Sequence, residues 1–113
     1  MAWTNYEVLD DLKLTKEEQK KALEKIKEIV QILHNQGLVH GDIRTTNILV
    51  DCSSLTSEEV KIHFLDFDWA GRIGEVKYPI GINRETVRRP EGAEGGKLIT
   101  VQHDHEMVSY LFA

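Results

Sequence analysis

The sequence contains one cysteine, Cys52, so no internal disulfide can form, and the chain suits a reducing compartment. It has no apolar run near the roughly 20 residues that a membrane-spanning helix requires, so no transmembrane segment is expected. The opening residues, "MAWTNYEVLDD", lack both a basic leader and an apolar stretch of the kind a secretory signal needs. The chain is therefore expected inside the cell, in the cytoplasm. Positive charge is also short: a formal net charge of -5 argues against a general nucleic-acid binder, which must neutralise phosphates with a basic surface. No internal repeat or low-complexity tract is present, and the mix of apolar and charged residues is ordinary for a globular protein. At 113 residues the sequence holds one small domain, 1–113, with little core to spare.

What is there begins with a helix. Thr15 followed three residues later by Glu18 is a capping box; Ala22, Leu23, Ile26, Ile29, Val30 and Leu33 recur on one face; Gly37 suits the left-handed position past the end. The pattern predicts a helix over 15–36. Within "KKALEKIK" the glutamates Glu24 and Glu28 alternate with lysines, which makes that run a solvated, ion-paired face. "NILVD" (47–51) and "VKIHFL" (60–65) are short β-branched runs separated by the polar "CSSLTSEE", a hairpin with a long loop. From Asp66 to about Thr100 the chain turns irregular, with five of its eight glycines between Gly71 and Gly95 and prolines at 79 and 90. A loop of that length is functional or disordered. The last stretch, "HDHEMVSYLFA", starts a second helix with Asp104 near its first turn.

Between the first helix and the first strand of the hairpin stands "LVHGDIRTTNILV". His40, Asp42 two residues on and Asn47 five residues after that, running into a strand, have the His-x-Asp-x-x-x-x-Asn spacing of a kinase catalytic loop. There the aspartate must reach the attacking hydroxyl while the asparagine, across the same tight loop, holds a metal ion beside the phosphates. "DFD" (66–68) follows the second strand of the hairpin, where kinases carry the Asp-Phe-Gly triplet with its further metal ligand. The sequence thus resembles the protein kinase superfamily over roughly residues 16–113, from the helix before the catalytic loop onward. In finer detail "LDFDWAG", "GEVKYP", "NRE", "RPEG" and "HD" look like the fungal-type protein kinase group.

The resemblance implies an α+β fold: a partial protein-kinase-like C-terminal lobe of helix, catalytic loop (40–47), β-hairpin, activation segment (66–91) and the start of a following helix. It implies Asp42 as catalytic base, Arg44 as the positive charge near the γ-phosphate, and Asn47 and Asp66 as ligands for Mg2+ and, through it, for ATP. Supporting roles fall to His40, which packs and hydrogen-bonds, to Phe67, which packs, and to Glu91, at the end of "RPE" where Ala-Pro-Glu closes the segment. Asp104, thirteen residues after Glu91, matches the aspartate that begins the next helix and hydrogen-bonds the catalytic-loop backbone. The implied reaction moves phosphate from ATP to a protein hydroxyl.

The departures from the pattern carry their own expectations. Gly41 stands where an arginine often follows the histidine, which leaves a phosphorylated activation segment without an obvious partner and argues against switching at Thr86 or Tyr78. His-Gly-Asp is also common in small-molecule kinases of the aminoglycoside phosphotransferase and choline kinase type, so the acceptor class stays open. Asp68 in place of glycine stiffens a hinge and adds a charge that binds metal or sits in water. No Gly-rich phosphate loop, strand lysine or helix glutamate is present. The chain is therefore expected to be weak or inactive alone, with exposed core and low stability or a partner.

Three rival readings accompany this one. A kinase-like scaffold or decoy could bind a partner protein through the basic strip "RETVRRP" (84–90). A haloacid-dehalogenase-type phosphatase also carries Asp-x-Asp after a strand, but Trp69-Ala70 replaces its Gly-Thr and "HGDIRTTN" is left unexplained. "HDHE" (103–106) suggests metal, yet its histidines are two apart rather than the four that place both on one helix face.

Overall fold

Helix α1 (Lys16–Asn35) starts at its capping box: the Thr15 hydroxyl accepts the Glu18 backbone N–H at 3.1 Å, and the Glu18 carboxylate accepts the Thr15 N–H at 2.9 Å. It stops before Gly37, which takes a φ of 79°, a conformation that favours glycine. The structure, a computed structural model, describes residues 5–113. Ala22, Ile26 and Val30 are buried on the apolar face, with Leu23, Ile29 and Leu33 packed beside them. Burying one such isoleucine or valine fully stabilises by about 1.5–3 kcal/mol. On the charged side Lys25 reaches both Glu28 and Glu59, at 3.6 and 2.8 Å, so the lysine-rich run is the expected ion-paired surface.

The expected hairpin is present. β3 (Ile48–Asp51) and β4 (Ile62–Phe64) pair antiparallel, with Ile48 opposite Phe64 and Val50 opposite Ile62. Those four side chains point to one face and are buried in the core against α1. A short strand, β1 (Tyr6–Val8), adds to the other edge of β3, Glu7 facing Val50. Three residues are too few to show an alternating pattern, which is why the sequence did not announce it.

The stretch from Asp66 to Thr100 is mostly irregular but not loose. β5 (Gly71–Arg72) pairs with β2 (Leu38–Val39) in a separate two-stranded sheet, and Lys77 bridges Leu98. Val39, Tyr78, Ala93 and Ile99 form a second core, covered by Trp69, Val76, Ile82 and Val101. α2 (Val101–Tyr110) follows, capped by the Thr100 hydroxyl, and lays Met107 and Val108 on the first core. The fold is α+β, as expected, and among the described residues no helix is long and apolar enough to cross a membrane.

Candidate active site

Residues 40–47 join β2 to β3, so the loop is anchored in the second core by Val39 and in the first by Ile43 and Ile48. His40 is fully buried, and both ring nitrogens are engaged: Nδ1 accepts the Asp42 N–H at 3.1 Å and Nε2 donates to the Leu65 carbonyl at 3.0 Å. One acceptor and one donor define a neutral ring with its proton on Nε2. The ring cannot exchange protons with a substrate without breaking the loop. Phe67 stacks edge-on against it with centroids 4.9 Å apart, and Phe64 at 5.7 Å.

Gly41 has a φ of 89° and its N–H points at Asp104. A Cβ at this position would lie 2.9 Å from the terminal methyl of Ile99, and the positive φ favours glycine over the arginine found in many kinases. Asp104, completely buried in the first turn of α2, accepts the N–H of His40 and of Gly41, each at 2.9 Å, and the Nε2–H of His34 at 2.9 Å. Three donors satisfy a buried carboxylate that would otherwise be costly to desolvate.

Asp42, the candidate base, is 5% exposed and heavily bonded. Its Oδ1 accepts Arg44 Nε at 3.0 Å and Arg89 Nη1 at 3.0 Å; its Oδ2 accepts Asn47 Nδ2 at 3.1 Å and, more weakly, Arg44 Nη2 at 3.4 Å. Asn47 Nδ2 also reaches the Asp42 carbonyl at 2.9 Å, so the amide is oriented by its donors and its carbonyl oxygen Oδ1 is left for another ligand. The spacing brings Asp42, Arg44 and Asn47 together because Thr45–Asn47 forms a single 3-10 turn that carries the asparagine back over the aspartate.

Asp66 lies at the far end of β4, exposed, and is the one non-glycine residue with a positive φ, 56°, among those described. Such strain persists only where the surroundings hold it, and it clusters at functional sites. The structure shows no bond between Asp66 and Asn47; among the described residues the Asp66 carboxylate accepts only the Asp68 N–H, at 3.4 Å. Asp68 is exposed, as is Glu91, which makes no ion pair among the described residues. Among the described residues no three His, Cys, Asp or Glu side chains cluster for a metal. One carboxylate and one amide oxygen suit magnesium, which takes its remaining ligands from phosphates and water.

Arg89 is the participant that sequence reading missed. In the basic strip "RETVRRP", offered above as a surface for a partner protein, Arg84 binds the carbonyls of Pro90 and Ala93, and Arg88 lies 4.0 Å over the Tyr110 ring. Arg89 turns inward to Asp42, with its guanidinium 4.9 Å above Trp69. No spacing rule links position 89 to position 42; only the packing of the second core does. Next to the loop, a cavity of about 260 Å³ is lined by Arg44, Thr45, Thr46, Thr86, Arg88 and Tyr110.

Residues 4–78 match the model of the lipopolysaccharide kinase (Kdo/WaaP) family. The match reaches further toward the N-terminus than the kinase motifs suggested, taking in β1, and ends at Tyr78, before Arg89 and Asp104. No solved structure matches the chain. With well over half its residues, including the whole His40–Asn47 loop, covered by that one model, the chain belongs to the lipopolysaccharide kinase (Kdo/WaaP) family within the protein-kinase-like superfamily.

Proposed function

We propose that this chain carries the catalytic loop of an ATP- and magnesium-dependent kinase that phosphorylates a hydroxyl group. The observation that carries the reading is the Asp42–Asn47 pair: the asparagine amide is fixed by the aspartate at 3.1 Å, so base and metal-facing oxygen are oriented as one unit. Asn47 Oδ1 and the Asp66 carboxylate would hold magnesium, which when bound draws off charge from the phosphates. Asp42 takes the proton of the acceptor hydroxyl as its oxygen bonds to the γ-phosphorus. The bond from that phosphorus to the bridging oxygen breaks, and ADP leaves with that electron pair. Arg44, 31% exposed at its side chain, stands beside the transferred group, and its guanidinium can bind two phosphate oxygens at once.

Two finer points belong to this proposal. The strings "LDFDWAG", "GEVKYP" and "RPEG" ally the chain with fungal-type kinases. A sugar or other small molecule is the second reading of the acceptor, supported by His40-Gly41-Asp42 and by a family whose description names lipopolysaccharide. Phe67 is 51% exposed, and Leu65, two residues before it, is exposed as well. That apolar surface is where a partner lobe or protein would complete the nucleotide site, and without it activity is expected to be weak.

Calorimetric titration with ATP, with and without magnesium, tests the reading. Wild-type chain should bind only when the metal is present, and Asp66→Asn should abolish binding. Equal binding by both proteins, or binding without metal, would sink the assignment of Asn47 and Asp66.

A further inference from the structure

We propose that Arg89 is the positioning residue of this active site: a permanent counter-ion that fastens the activation segment to the catalytic loop without phosphorylation and holds the Asp42 carboxylate in place for the acceptor. The inference rests on the reading of Asp42 as base, and its test separates the two.

The two arginines on Asp42 differ in what holds them. The Arg89 side chain is 3% exposed, gives Nε to the Asn83 carbonyl at 2.9 Å, and lies over Trp69; three separate groups fix it. The Arg44 side chain is 31% exposed and, among the described residues, reaches Asp42 only. When phosphate enters, Arg44 can turn to it while Arg89 stays. Desolvation favours this division, because a buried carboxylate that lost both cations would be left unpaired.

Both oxygens share in this arrangement. Oδ1 carries the two 3.0 Å bonds from Arg44 Nε and Arg89, whereas Oδ2 carries Asn47 at 3.1 Å and the 3.4 Å contact from Arg44, the weakest of the four. A carboxylate has about four lone-pair sites. Departure of Arg44 therefore frees one site on each oxygen for an acceptor hydroxyl, while Arg89 on Oδ1 and Asn47 on Oδ2 hold the carboxylate plane fixed.

The surroundings argue against a phosphate-driven switch. Gly41 offers no cation beside Asp42, and its φ of 89° disfavours any residue that would carry one. Tyr78 is 2% exposed, so its hydroxyl cannot be modified without opening the second core. Arg89 supplies from the activation segment itself the charge that links segment and loop.

The test compares wild type, Arg89→Ala, Arg89→Lys, Asp42→Asn and the double variant Arg89→Ala/Asp42→Asn. Release of phosphate from magnesium-ATP, with water as acceptor, is read beside limited proteolysis of the 72–98 segment in phosphatase-treated protein. Arg89→Ala should lower kcat about tenfold to a hundredfold, part of what a positioned base contributes, with KM for ATP changed less than about twofold. Arg89→Lys should recover part of the loss. The segment should become protease-sensitive in Arg89→Ala and in Asp42→Asn, and the double variant should be no more sensitive than either. Unchanged proteolysis in Arg89→Ala overturns the proposal, as does a higher kcat, which would mean the guanidinium blocks the base. Full turnover in Asp42→Asn would instead remove the base reading, and the proteolysis arms would still decide whether the pair fastens the segment.

Discussion

Asp104 holds the backbone N–H of Gly41 at 2.9 Å across 63 residues of sequence, and through it the first turn of α2 sets the position of the catalytic loop. The same carboxylate takes His40 N–H and His34, so it joins α1, α2 and the loop at a single buried point. Asp104→Ala should cost about 3–5 kcal/mol, the range for leaving buried partners unsatisfied, and that is a large share of a small domain's stability. Asp104→Asn should cost less, since one amide oxygen can still accept from the loop. Urea unfolding followed by circular dichroism ranks the two; equal, small losses would mean the junction contributes little.

Gly41→Arg restores the residue that many kinases carry and should nonetheless damage this protein. A φ of 89° costs an L-residue about 1–2 kcal/mol, and the Ile99 contact at 2.9 Å adds to it. Gly41→Ala should show most of the same loss, because the obstacle is the Cβ. Thermal melts of the two variants against wild type check this: a stable Gly41→Arg protein contradicts it.

Burial, and then the hydrogen bond from the thiol to Glu7 at 3.1 Å, push Cys52 up to about 11. Burial, and then the charge of Asp104, likewise push the Tyr78 phenol well above its ordinary range. Both groups hold their protons more tightly folded than unfolded. Their contribution to stability is therefore complete below the ordinary thiol and phenol pKa values and is lost as pH rises through the folded ones. The urea midpoint should fall steadily above roughly pH 9, and iodoacetamide should label Cys52 slowly at pH 8, where a free thiol of pKa about 8.5 reacts readily. Glu7→Gln removes the neighbouring charge and should speed labelling.

Thr15→Ala removes the acceptor for the Glu18 N–H and should cost about 1 kcal/mol, as loss of a helix N-cap usually does. In a domain of this size that is a fall of several degrees in Tm by calorimetry. Nucleotide binding should not change, because the cap lies at the start of α1 and the catalytic loop follows its far end.

α1, the β3–β4 hairpin and the start of α2 could be read from the sequence because each rests on local rules: a capping box, a 3.6-residue apolar repeat, short β-branched runs. Asp42, Arg44 and Asn47 were legible for the same reason, since one turn of chain brings them together. β1, β2 and β5 are two or three residues long and exist only because a distant strand supplies their hydrogen bonds. The apparent looseness of 66–100 was misleading: its residues buried in the second core, Tyr78, Ala93 and Ile99, are spread too widely to show a period, yet they close on Val39.

By itself the sequence determined the chemistry available to this protein: a carboxylate, a guanidinium and an amide at kinase spacing, held on a loop between a capped helix and a hairpin. Only the tertiary structure decided which further charges face that carboxylate. Arg89 reaches Asp42 across 47 residues, and Asp104 reaches the loop backbone across more than 60. Those contacts depend on how the second core folds the activation segment back on itself, and burial then makes each of the resulting ion pairs and hydrogen bonds costly to break.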